Sequence, residues 1–96
     1  MTTYYIAVDY DRYDIDCSGR ALSVVGTNPE EVHAAAVVKY QLVECIVAEP
    51  CTELLYREVL ERGAPRDYGY DETTNLLCTV HEAQERELAE AITWNR

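Results

Sequence analysis

Tyr4, Ile6, Val8 and Tyr10 alternate with Tyr5, Ala7 and Asp9, the period of two that turns one face of a strand toward a core. The parity of apolar positions changes near Asp11, where a bulge or bend is expected. Ser18-Gly19 then reads as a two-residue hairpin turn and residues 20–27 as the returning strand. In that register Cys17 faces Arg20, Ile15 faces Leu22 and Tyr13 faces Val24, while Asp14 and Asp16 point to the other side.

Asn28-Pro29-Glu30-Glu31 predicts a helix start, with Asn28 as N-cap, Pro29 in the first helical position and Glu31 placed for a capping box. Val32, Ala35, Ala36, Leu42, Val43 and Ile46 fall at helical spacing, and no breaker intervenes before Pro50. The favoured reading is one helix from Pro29 to about Ala48. A competing one ends the helix near Tyr40 and makes residues 42–47 a strand, because that segment also alternates and is rich in β-branched side chains.

Residues 50–63 form an amphipathic pattern with Leu55 and Val59 one turn apart, Gly63 as the C′ residue and Pro65 beyond. Residues 64–71 read as a loop and 74–78 as a strand. Thr79-Val80-His81-Glu82 is a second capping-box pattern, opening a helix to about Trp94 with Leu88, Ala91 and Ile92 as its buried stripe. An alternative runs one helix from Glu72 onward. The pattern as a whole predicts an α+β fold: an antiparallel β-hairpin, extended to three strands if residues 74–78 join it, with about three α-helices packed on one face.

At 96 residues the chain is a single domain, 1–96, and 48% hydrophobic with 27% charged residues is the composition of a folding sequence. No basic region followed by an apolar run opens the chain, and no stretch has the length of a membrane span, so a soluble cytoplasmic protein is expected. In that setting Cys17, Cys45, Cys51 and Cys78 are expected as free thiols. Eighteen acidic against eight basic side chains give a formal charge of −10, which disfavours direct contact with nucleic acid or anionic membrane.

Candidate chemistry is sparse. Asp14-Ile15-Asp16-Cys17-Ser18-Gly19 matches the first half of an EF-hand loop, but Val25 stands where the closing Glu belongs, and no helices flank it. His33 and His81 lack the closely spaced partners of a zinc site. Cys51 near a helix start would be a nucleophile only if the fold lowered its pKa and brought His81 beside it. No cofactor, metal or catalytic residue is therefore expected, and a cysteine enzyme or metal protein is the least favoured reading.

Charge arrangement says more. Asp9, Asp11, Asp14 and Asp16 are interleaved with Tyr5, Tyr10 and Tyr13, and carboxylates on one face of a strand stand roughly 6.6 to 6.8 Å apart, near the spacing of phosphates in an extended strand. Glu82, Glu85, Glu87 and Glu90 form a second cluster on the last helix, where like charges three residues apart are unfavourable for the helix itself. These eleven residues are the candidate partner-binding positions.

In its size, its charge, the acidic Tyr-rich opening hairpin and the strand leading into Thr27-Asn28-Pro29-Glu30-Glu31, the chain resembles the small acidic proteins that phages direct against host nucleic-acid machinery, anti-CRISPR proteins and DNA mimics. The resemblance implies a non-enzymatic inhibitor in the host cytoplasm that occupies a basic nucleic-acid-binding surface of a partner complex. The competing expectation is a small homodimeric accessory or assembly module, since Ala34, Val37 and Val38 widen the apolar surface of the first helix.

Overall fold

The computed structural model describes residues 2–10, 19–41 and 45–94, the side chains of 90–94 excepted. Its elements are β1 (Tyr4–Tyr10), β2 (Gly19–Gly26), α1 (Pro29–Lys39), β3 (Ile46–Cys51), α2 (Glu53–Arg62), β4 (Gly69–Asp71), β5 (Leu76–Cys78) and α3 (Val80–Trp94). The strands make one mixed sheet in the order β2-β1-β3-β5-β4, with only the β3–β5 pair parallel. The α+β class holds.

β1 lies between β2 and β3, so both of its faces need cover, and Ile6, Ala7 and Val8 are all fully buried. Ile6 and Val8 point to one side and pack with Ala21, Cys51, Leu55, Val59 and Leu77. Ala7 points to the other and packs with Leu22, Val32, Ala36 and Ile46. Helix α2 thus covers the first face and α1 the second, which corrects the expectation of helices on one face. The reason lies in β1: Ala7, between Ile6 and Val8, is small enough to admit the alanine-rich α1 closely. α3 lies over β4, on the side of Gly69 and Cys78, where a Cβ at Gly69 would collide with Ala83.

The favoured long first helix is also corrected. α1 ends at Lys39, and the following chain forms β3, paired along β1 from Tyr4↔Cys51 to Asp9↔Ile46. Tertiary contacts end the helix: Tyr40 Oη accepts the Ser23 N–H at 3.1 Å and Lys39 Nζ donates to the Ser23 carbonyl at 3.4 Å. The competing reading, a helix stop near Tyr40 and a strand over residues 42–47, agrees at the helix end and at Ile46 and Val47; residues 42–44 lie outside the described ones, and the strand runs on through Pro50 to Cys51. Proline is tolerated there because Tyr10 N–H bonds Cys45 O, which makes alternate β1–β3 pairs hydrogen-bonded and leaves Pro50 opposite Tyr5 in a pair that exchanges none.

The first hairpin pairs β2 with β1 itself, Tyr10↔Gly19 and Val8↔Ala21. The Ser18-Gly19 turn, the pairings of Cys17, Ile15 and Tyr13, and the bend at Asp11 involve residues outside the described ones. A register irregularity occurs elsewhere, between Ile6↔Val25 and Val8↔Ala21, where Leu22, Ser23 and Val24 stand opposite Ala7. Ser23 is held there from two sides, since its Oγ also accepts the Ala64 N–H at 2.8 Å.

α2 follows the sequence closely: Thr52 caps it, its Oγ1 accepting Leu55 N–H at 3.2 Å, and Gly63 closes it at φ 83°, in the left-handed region. Residues expected as loop include β4, paired with β5. A turn precedes β5, so the continuous helix from Glu72 does not form. In α3 the capping box is complete, but Leu88 is 63% exposed and is not part of a buried stripe; the side chains of Ala91 and Ile92 lie outside the described residues. No helix among the described residues is long and apolar enough to cross a membrane.

Candidate partner-binding surface

Strand alternation separates the residues that the opening sequence placed together. Tyr5 lies half-buried against the α1-side core, where it packs rather than presents a surface. Asp9 follows it on that face, 3.9 Å from Arg20 of the neighbouring strand. Tyr10 points to the opposite face, against the α2-side core. Asp11, Tyr13, Asp14 and Asp16 lie outside the described residues, as does most of the EF-hand-like segment.

The last helix is also divided. Glu82 turns inward, and its Oε2 accepts from Thr79 N–H and Thr52 Oγ1, both at 2.8 Å, while Glu82 N–H donates to Thr79 Oγ1 at 3.1 Å. One carboxylate thereby ties the starts of α2 and α3 together. Glu85 contacts His81 at 3.0 Å on the surface. Glu87 borders a pocket of about 310 Å³ with Asp71, Glu72 and Arg86, and the Glu90 side chain lies outside the described residues.

Inside that pocket the charges are already engaged. Asp71 accepts from Thr73 N–H at 2.9 Å and receives Arg86, which also reaches the Thr73 hydroxyl. Desolvation opposes the Asp71 charge, but hydrogen bonds from Thr74 and Thr73 together with the Arg86 guanidinium hold its carboxyl below the usual range. This network fastens the β4–β5 turn to α3. Glu72 and Glu87 at its rim have no hydrogen bond or ion pair to another described residue.

A second pocket, about 370 Å³, opens on the α2 side of the sheet and is lined by Tyr10, Gly19, Glu49, Arg66, Asp67, Tyr68, Tyr70 and Leu77. Tyr68 Oη donates to the Gly19 carbonyl at 3.0 Å, which fixes its ring against the start of β2. Glycine is required at that contact, because a Cβ on residue 19 would meet Val8, Tyr10 and, at 2.9 Å, Tyr68 Oη. Burial, then the neighbouring Glu49 charge and Tyr68, push the Tyr10 hydroxyl up to about 12; burial and Glu49 also raise that of Tyr68. Both phenols remain neutral donors. Glu49, Arg66 and Asp67 make no ion pair among the described residues.

Tyr70 lines both pockets and is 53% exposed, its Oη donating to Asn75 at 2.7 Å. Around it run Glu49, Asp67, Glu72 and Glu87. Sequence reasoning passed over Glu49, Asp67, Tyr68, Tyr70 and Glu72. A signal was present, since Asp67-Tyr68-Gly69-Tyr70-Asp71-Glu72 repeats the acid-and-tyrosine composition of the opening segment. Glu49 gave none, because it fell at the end of a helix that does not form.

The alternative chemistry finds little support. Cys51 is 2% exposed, and burial, with Glu82 adding to it, pushes its thiol up to about 12, the reverse of what a nucleophile needs. His81 sits on the surface with Glu85. Cys45, Cys51 and Cys78 are free thiols. Among the described residues no group of His, Cys, Asp and Glu has the grouping of a metal site. No protein family, curated protein or solved structure matches this chain.

Proposed function

We propose that the protein is a non-enzymatic inhibitor that acts in a host cytoplasm by docking an acidic, tyrosine-bearing surface on the basic nucleic-acid-binding surface of a partner complex. The observation that carries this reading is the set of uncompensated carboxylates, Glu49, Asp67, Glu72 and Glu87, grouped about the exposed Tyr70. Such charges gain nothing from the fold and would gain charge-assisted hydrogen bonds from lysine or arginine on a partner. Tyrosine adds contact area with few rotatable bonds to freeze. Tyr10 and Gly19, which flank the acidic segment 11–18 in the sequence, both line the second pocket.

Affinity capture from a host lysate tests the proposal. Nucleic-acid-handling proteins should be retained at about 0.05 M salt, released near 1 M where screening is nearly complete, and displaced by their own nucleic acid. Neutralising Asp67, Glu72 and Glu87 together, or Asp11, Asp14 and Asp16 together, should reduce retention. Recovery of nothing basic, or binding indifferent to salt and to both sets of substitutions, would refute it.

A second reading is favoured by one feature: α1 presents Val37 and Val38, 44% and 71% exposed, on the side away from the sheet. A homodimeric module would bury them. Sedimentation of the wild type against Val38→Glu distinguishes the readings, because only the dimer becomes monomeric.

A further inference from the structure

We infer that the pocket between Tyr10, Tyr68 and Glu49 is a receptor for a single arginine side chain of the protein partner. The inference rests on the docking reading and gives it a specific anchor. Tyr68 is fixed by its bond to Gly19, and the absent Cβ at Gly19 lets the Tyr10 and Tyr68 side chains converge. Glu49 stands beside both phenols with no described cation on its carboxylate, and Asp67 supplies a second carboxylate to the pocket lining. A flat delocalised cation fits this lining: aromatic faces accept guanidinium by stacking, and a carboxylate takes its paired N–H groups in parallel. An ammonium is a strongly hydrated point charge and uses tyrosine faces less well. A phosphate or nucleic-acid occupant is opposed by Glu49 and Asp67. About 370 Å³ is ample for one such side chain and small for a folded element.

Arg66 belongs to the same lining yet pairs with neither carboxylate among the described residues. It is exposed, and its guanidinium is the natural competitor for the position the partner's arginine takes. Removing it therefore strengthens rather than weakens binding.

Titration of the isotopically labelled full chain with the peptide acetyl-Gly-Gly-Arg-Gly-Gly-amide tests the inference. The Gly19 and Tyr68 amides and the Tyr10 and Tyr68 ring signals should move together with a dissociation constant on the order of millimolar, as for one charge-assisted contact plus stacking. The lysine peptide should bind several-fold more weakly, and the uncharged citrulline peptide about tenfold or more. Glu49→Gln should weaken the arginine peptide about tenfold, and Arg66→Ala should tighten it. Equal response to arginine and citrulline peptides, or shifts confined to other residues, overturns the assignment without depending on any variant that must fold. Poly-lysine binding, followed in parallel, reports the broader acidic docking. If poly-lysine binds and the arginine peptide does not, only the arginine receptor falls; if neither binds, both do.

Discussion

Replacing Glu82 with alanine removes an oxygen that accepts two hydrogen bonds at 2.8 Å, one from the Thr79 amide and one from the Thr52 hydroxyl. Hydrogen bonds to a charged group are worth about 1.5–3 kcal/mol each, and loss of a helix cap costs about 0.5–2 kcal/mol. Both bonds are lost, and with Glu82 only half-buried each counts at the low end, so a destabilisation of about 3 kcal/mol is expected, while the Thr79 Oγ1 bond to the amide of residue 82 at 3.1 Å is kept. For a chain of this size that lowers Tm by roughly 10–20 °C. Thr52→Val, which removes one of the two bonds and the α2 cap, should cost about 1–2 kcal/mol. Because the substitutions share a bond, the double variant should lose about 1 kcal/mol less than the sum. Urea melts of the four proteins measure the cycle. An E82A shift below about 3 °C, or strict additivity with Thr52→Val, would refute a structural role and return Glu82 to the docking surface. Partner capture supplies the complementary check, since Glu82→Gln should leave it unchanged whereas neutralising Glu72 and Glu87 should not.

Other consequences are equally open to measurement. Below pH 9.0 the Cys51 thiol is protonated in both folded and unfolded chains; from there to about 12 only the unfolded chain sheds the proton. Its contribution to stability should therefore fall as pH rises, by up to ~1.4 kcal/mol per pH unit, and denaturant melts of Cys51→Ala should lack that part of the slope. With an alkylating reagent at pH 8, half-buried Cys45 should react in the folded protein and Cys51 only after unfolding. Gly19→Ala should cost about 1–3 kcal/mol by crowding Val8 and the two tyrosines, and should abolish the arginine-peptide response even where the variant remains folded by its amide spectrum. Asn28→Ala, which loses an Oδ1 accepting from Glu30 N–H at 2.9 Å and Glu31 N–H at 3.2 Å, should lower stability by about 1 kcal/mol in a thermal melt.

Local chemistry was legible in the sequence wherever it decided the outcome locally. The Asn28 and Thr79 caps, the Leu55–Val59 stripe and the Gly63 terminus all occur where side-chain identity predicts them. The first helix could not be bounded this way. Residues 42–47 fit both periods, and what separates helix from strand is the grip of Tyr40 and Lys39 on Ser23, some sixteen residues back, together with pairing of residues 46–51 along β1. Neither contact has a local signature. Burial of β1 on both faces was hidden similarly, because the small Ala7 looks like the polar side of an amphipathic strand until α1 is laid against it.

The same distinction governs the acidic residues. A carboxylate count treats them alike, but the fold sorts them by whether a donor is already within reach. Asp71 and Glu82 are consumed by Arg86, Thr73, Thr79 and Thr52, and Asp9 shares its field with Arg20. Neutralising any of these changes the folded state as well as the surface. Glu49, Asp67, Glu72 and Glu87 have no such donor among the described residues, although Arg66 and Arg86 line the same pockets. Under the proposed docking, their mutual repulsion would be relieved by a cationic surface, and that relief would add to the attraction between the partners. Neutralising them should therefore hold or raise stability while lowering partner affinity, whereas neutralising the committed carboxylates should lower stability first. Paired melts and capture assays on the two groups separate docking charge from structural charge, and a group that moved neither quantity would serve only to keep the protein in solution.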